Sequence, residues 1–154
     1  SSELVSSHEI RARAEAFAGA PEVVTLIEGK LEQALVNRLP QVIPMAAMEP
    51  ILVITHFPDK QGAVALVETL LDQHLAACVN VLGACTSMYR WQGKIESAEE
   101  IPVLIKTQRQ HYERVERLIK MMHPYELPEV IMVPIMDGLP AYLQWIAAET
   151  QLPD

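Results

Sequence analysis

The pattern of apolar and polar positions divides the chain near residue 50, beyond which short elements follow one another with clear periods. Ile51-Leu52-Val53-Ile54-Thr55 is a run of β-branched and apolar residues, the pattern of a buried strand. Pro58-Asp59 breaks it, and Asp59 is a good N-cap for a helix through His74, with Ala63, Leu66, Val67, Leu70, Leu71 and Leu75 at helical spacing. Ala77 to Leu82 predicts a second strand that runs, past a kink at Gly83, into a long hairpin. There Ser87, Tyr89 and Trp91 alternate with Met88, Arg90 and Gln92, and Gln92-Gly93 supplies the turn. On the return, Ile101, Val103, Ile105 and Thr107 share one face. Thr107-Gln108-Arg109-Gln110 has the form of a capping box and predicts a helix with Tyr112, Val115, Leu118, Ile119 and Met122 inward, ended by Pro124. Val130 to Ile135 is the next strand, and Asp137-Gly138-Leu139-Pro140 opens a last helix carrying Tyr142, Leu143, Trp145 and Ile146.

The order is β-α-β-β-α-β with a C-terminal helix, which predicts an α+β, ferredoxin-like fold with both crossover helices on one face of an antiparallel sheet. The other face would then stand bare and apolar, which argues for an oligomer. The hairpin is also longer than one small sheet needs, and its aromatic tip requires a cover. Within the returning strand, Glu96-Ser97-Ala98-Glu99-Glu100 interrupts the alternation and Pro102 lacks a ladder donor. Together they predict a bulge near residues 97–102.

Residues 1–48 read differently, as a helical extension of unknown role ahead of a compact domain over residues 49–154. Ser6-Ser7-His8-Glu9 has capping-box form, Ile10, Ala14 and Phe17 mark one face, and Gly19 ends that helix. Pro21 suits the first turn of a second helix, with Val24, Ile27, Leu31, Leu35 and Leu39 in a stripe before Pro40. Charged residues interrupt any apolar core segment, so a secretory signal is not expected, and seven acidic residues before position 50 fit poorly with an organelle transit peptide.

Composition narrows the classes of function. Half of the 154 residues are apolar, enough for a packed core, and the net charge of −8 disfavours nucleic acid or an anionic membrane as the main partner. No apolar run approaches the ~20 residues that cross a bilayer. Two cysteines, Cys78 and Cys85, make no disulfide framework and suit small buried hydrophobes in a reducing, cytoplasmic setting. Nucleophilic catalysis has no glycine-flanked elbow and phosphate binding no glycine-rich loop, so the chain is not expected to be an enzyme.

Several segments together resemble the CutA divalent-cation tolerance family: Phe57-Pro58-Asp59, Leu75 to Asn80, Thr86 to Lys94, Ile105-Lys106-Thr107, His123 to Glu129 and Gly138 to Tyr142. The resemblance runs from Ile51 to about Ala148. It implies a ferredoxin-like homotrimer whose sheets pack edge to edge about a threefold axis, with the hairpin reaching onto a neighbour. It also implies a role in tolerance to copper and other divalent cations without an established reaction. Three positions match a copper site attributed to some relatives, and here they hold Thr55, Met122 and His123. Only His123 is retained as it stands, with a thioether in place of a second imidazole. Weak copper(II) binding is therefore expected, with a better case for copper(I), and no cofactor is required.

The segment His123 to Glu129 is the foremost ligand-facing feature, since two prolines stiffen it and Tyr125, Glu126 and Glu129 bring a phenol and two carboxylates together. The competing reading is a fixed corner, with Tyr125 packed and Glu129 paired with a cation. Lys106 could hold an anion in such a cleft, or pair with Glu96, Glu99 or Glu100 on the strand face. Tyr89, Trp91 and Trp145 suit the trimer interface. Two other functions fit the same architecture: a trimer resembling the PII nitrogen regulators, binding a small effector between subunits, and a scaffold presenting its N-terminal helices to a partner.

Overall fold

The computed structural model describes residues 43–44 and 47–152. The two helices expected before Pro40 lie outside the described residues.

Strand β1 (Pro50–Phe57) shows the period of two without interruption: Ile51, Val53, Thr55 and Phe57 are buried, and the residues between them are half-buried. Helix α1 (Lys60–Asp72) starts where expected, with the Asp59 side chain accepting from the Gly62 N–H at 2.7 Å. It stops before His74, because that residue turns left-handed at φ 56°. The Leu75 N–H then reaches the Leu70 carbonyl at 2.9 Å and the His74 N–H the Leu71 carbonyl at 3.1 Å. This is a Schellman ending, and Leu70 and Leu75 close it as members of the core.

Strands β2 (Cys78–Val81), β3 (Cys85–Trp91) and β4 (Lys94–Gln108) complete the first half of the fold. Helix α2 (Tyr112–Met122), strand β5 (Val130–Pro134) and helix α3 (Pro140–Glu149) complete the second. The sheet runs β2-β4-β1-β5, antiparallel throughout, with β3 on the outer half of β4. That is the ferredoxin-like arrangement the element order predicts. α1 and α2 cover one face, where Leu66, Leu70, Val115 and Ile119 pack on Val53, Val103 and Ile105. Each fully buried side chain of this kind contributes about 1.5–3 kcal/mol. On the opposite face Leu52, Ile54 and Leu104 remain half-buried, and Ile131 and Val133 are exposed. The bare apolar face is therefore real in the single chain.

The hairpin turns at Gln92 (φ 49°) and Gly93 (φ 79°), two consecutive left-handed residues. Such a pair matches the twist of the strands it joins, and glycine takes the second position without strain. From Trp91↔Lys94 to Cys85↔Glu100 the pairing is unbroken, and His56↔Pro102 continues it on the β1 side. The bulge expected within residues 97–102 of β4 is thus absent there. It lies on the facing strand instead. Val81 faces Val103 and Cys85 faces Glu100, so three residues, Leu82 to Ala84, stand against two, Ile101 and Pro102. The Pro102 carbonyl accepts from the Leu82 N–H at 2.9 Å, so the proline's own nitrogen points to this same interrupted stretch. A proline thus sits in a central strand at the one place where its missing donor breaks no ladder bond. Pro102→Val is expected to change stability by less than about 1 kcal/mol, read from the urea midpoint.

The capping box at Thr107 does not form. Thr107 belongs to the buried face of β4, its hydroxyl is without a partner, and Gln108 uses its side-chain oxygen to accept from the Glu49 N–H at 2.9 Å. Strand burial outcompetes the local cap. The chain enters α2 through a short 3₁₀ turn, Arg109–His111, which buries His111. Burial first, opposed by a backbone hydrogen bond with Thr150 and reinforced by the Arg114 charge, lowers the His111 pKa below 6.5. The unfolded chain therefore takes up this proton first. Stability is expected to be complete above about pH 6.5 and to fall as the pH drops below it. Urea midpoints of wild type and His111→Gln at pH 7.5 and 5.5 check this, the variant showing the shallower loss.

At the far end, α3 buries Leu143, Ile146 and Ala147 against Met48, with Ile43 packed alongside. Gln144 fixes the incoming chain there, its Oε1 accepting from the Ile43 N–H at 3.2 Å and its Nε2 donating to the Ile43 carbonyl at 2.8 Å. A Cβ at Gly138 would lie 3.2 Å from the Leu143 side chain, so the turn into α3 is closed tightly.

Candidate functional site

The corner between α2 and β5 is built on His123. Its backbone N–H closes the helix on the Ile119 carbonyl at 2.8 Å, and its backbone then turns extended. Pro124 cannot continue the helix, so the ring is carried back over the end of β1. There it packs between Phe57, with centroids 4.4 Å apart, and Tyr125, at 4.7 Å. Nε2 donates to the His56 carbonyl at 2.5 Å, and Nδ1 accepts from the Tyr125 N–H at 3.0 Å. A backbone amide only donates, so these two bonds fix the tautomer with the proton on Nε2.

Glu129 pairs with the His56 ring at 2.5 Å from Nδ1. The pair sits one step beyond Thr55↔Val130, where the β1–β5 register places residues 56 and 129 side by side. Tyr125 lies on the other side, near Glu100 of β4. Burial first, then the nearby Glu100 carboxylate, then Tyr89, raise the Tyr125 hydroxyl above its ordinary range. The corner is therefore tied to β1 through His56 and faces the hairpin at Glu100. Between them lies a cleft of about 580 Å³, walled by Tyr89 and Trp91 from the hairpin and by Tyr125, Glu126 and Glu129 from the corner.

The residues singled out from the sequence separate into three places. Tyr125, Glu126 and Glu129 share the cleft, with Tyr89 and Trp91 on its hairpin wall. Lys106 does not join them: it lies on the open sheet face and donates to the Asn80 side chain at 2.6 Å, with Cys78 Sγ at 3.9 Å. Thr55 is fully buried with an unpartnered hydroxyl, Met122 packs at the edge of the core, and His123 has both ring nitrogens engaged. Trp145 lies on α3, its ring stacked on Tyr142 at 5.6 Å and 41% exposed. Among the described residues no three His, Cys, Asp or Glu side chains converge as a metal-binding set.

Two members of the site carry no strong signal in the sequence. His56 is one of several scattered histidines, and its partner lies 73 positions away, so only the strand order joins them. Glu100 reads as part of an acidic strand face, whereas the structure places it in the cleft with Tyr125.

The fold has counterparts among known proteins. The family model described as CutA1 divalent ion tolerance protein matches residues 51–149. The chain belongs to this family. It is 36% identical over 103 residues to the divalent-cation tolerance protein CutA of Thermus thermophilus, covering 67% of this chain and 99% of the relative. Among solved structures it is similar to CutA1 from the psychrotrophic bacterium Shewanella sp. SIB1, at 40% identity and a TM-score of 0.62, covering 64% of this chain and 92% of that one. CutA1 from Oryza sativa gives 33% identity and a TM-score of 0.66, covering 68% and 95%. The CutA match begins at Ile51, so residues 1–50 stand outside it.

Proposed function

We propose that this CutA-family chain works as a cytoplasmic, non-enzymatic homotrimer in the response to divalent cations. The exposed hairpin carries the reading. Met88, Tyr89, Trp91 and Ile95 are 72%, 45%, 45% and 69% exposed on the single chain. An apolar, aromatic arm of that kind beside a bare sheet face needs a cover, and further copies of the chain carry the same apolar surface to meet it. The trimer places Tyr89 and Trp91 between subunits and leaves the cation response to the assembled particle. Light scattering at micromolar concentration and neutral pH is expected to give three times the chain mass. A monomer mass would overturn the assembly.

Copper(II) is expected to bind weakly at the Thr55, Met122 and His123 positions. A metal there would have to displace the bond between Tyr125 N–H and His123 Nδ1 or that between His123 Nε2 and the His56 carbonyl. Met122 offers a thioether, which suits copper(I) better. Titration calorimetry is the check: one tight copper(II) per chain, lost in His123→Ala, would contradict weak binding. An anionic effector of the kind expected of a PII-like trimer is disfavoured by the Glu100, Glu126 and Glu129 lining of the cleft. A thermal shift with nucleotides but none with cations would restore that alternative.

A further inference from the structure

We propose that the last turn of α3, with the Thr150–Leu152 segment that follows it, is a proton-operated latch seated on buried His111. It is closed at neutral pH and opens locally on acidification, ahead of the rest of the domain. The inference concerns one chain and uses no residue of the hairpin, of the bare sheet face or of the copper positions.

The end of α3 is received by side chains from two other elements. Thr150 is wholly buried, and its hydroxyl turns back to the Ile146 carbonyl at 2.8 Å and the Ala147 carbonyl at 3.4 Å. The carbonyls beyond these have no partner within the helix and must find one elsewhere. Nδ1 of His74, at the left-handed end of α1, donates to the Glu149 carbonyl at 3.2 Å. His111, only 3% exposed, lies against the Thr150 backbone, and Leu152 packs on the main core.

The two histidine seats differ in what a proton does to them. His74 is exposed, so its ring keeps its water whether the latch is open or closed. His111 has none, and a charge on it is costly until water returns. Its neighbours do not make up for that. Arg114 of α2 repels a second cation, and Arg109 on the same turn is itself a cation, 3.9 Å from Glu49. The Gln110 amide nitrogen stands 3.3 Å from the ring, and the Glu149 carbonyl is taken by His74. The carbonyl end of α3 favours a cation, yet burial outweighs it.

What holds each side of His111 decides which side gives way. Below it, α2 is anchored by Val115, Leu118 and Ile119 in the main core. The terminal turn has a long bond, Gln151 N–H to the Ala148 carbonyl at 3.4 Å, and Leu152 as its hold on that core. Chain ends of this kind open at little cost. Further back, Gln144 stays bonded to Ile43, and Leu143 and Ile146 stay buried, so the opening is confined to the last turn.

Amide hydrogen exchange of the full chain at pH 7.5 and 5.0, corrected for the intrinsic effect of pH, tests the proposal. Protection of Ala148, Glu149 and Gln151 should fall about tenfold relative to Val53 and Ile105. The ceiling is about thirtyfold, since a released imidazole titrates near 6.5. His74→Gln should keep this response, and His111→Gln should abolish it. In wild type, the midpoint of the His111 ring by NMR should coincide with the loss of protection, a readout that stands even if His111→Gln does not fold. The proposal is overturned if protection of the three amides is the same at both pH values, or falls only in step with Val53 and Ile105. It is equally overturned if the drop survives in His111→Gln, or if the ring titrates with no change in exchange.

Discussion

Trp91→Ala is expected to dissociate the proposed trimer while leaving the folded chain almost unchanged. Trp91 stands at the end of β3, next to the Gln92-Gly93 turn, and is 45% exposed on the single chain. Truncating it there removes few contacts within the chain. Its energetic weight falls on whatever covers the hairpin. If a neighbour buries the ring, loss of the side chain costs roughly 3–5 kcal/mol at each interface. Since every 1.4 kcal/mol is about tenfold in affinity, that is a weakening of roughly two to three and a half orders of magnitude per contact. Sedimentation over a range of concentrations reads the mass, and the urea midpoint reads the fold. A trimer as stable as wild type would place the tip in solvent and remove the hairpin from the interface. A fall in the urea midpoint of the dissociated chain would instead show that the ring supports its own fold.

The parts of this fold that were legible in the sequence depend on neighbours in the chain. The Gln92-Gly93 turn forms because two adjacent residues accept left-handed backbone, and the Asp59 cap because its acceptor lies three residues from its donor. The period of two in β1 is visible as plain alternation. Local signals mislead where they compete with burial or register. Thr107 and Gln110 have the spacing of a cap, yet burying Thr107 in the sheet face prevails over that hydrogen bond. Pro102 correctly signals a broken ladder but not which strand carries the extra residue, because that depends on how β2 and β3 both align with β4. The site shows the same division. The Pro124–Pro128 corner is evident, whereas the His56–Glu129 pair and the meeting of Tyr125 with Glu100 in one cleft need the finished strand order to appear.

That dependence makes Phe57 the residue on which fold and site are joined, and Phe57→Ala the substitution expected to cost the chain itself most. Phe57 ends β1 on its buried face with no exposure, and it is among the largest wholly buried side chains among the described residues. A Cβ at Gly62 would lie 3.2 Å from its ring, and His123 packs on it with centroids 4.4 Å apart. Truncation leaves a cavity under both the first turn of α1 and the corner, which costs about 3–5 kcal/mol. A typical domain has only about 5–15 kcal/mol in total. The urea midpoint should therefore fall by a large fraction, and Phe57→Leu, which refills most of the space, should cost less than about 1.5 kcal/mol. The site should respond as well. The His123 ring keeps its two hydrogen bonds but loses its packing floor, so hydrogen exchange at the Tyr125 amide, which donates to Nδ1, should quicken beyond what the global loss of stability explains. A stability loss below about 1.5 kcal/mol in the alanine variant, with Tyr125 exchange unaltered, would mean that backbone bonds and prolines alone hold the corner in place.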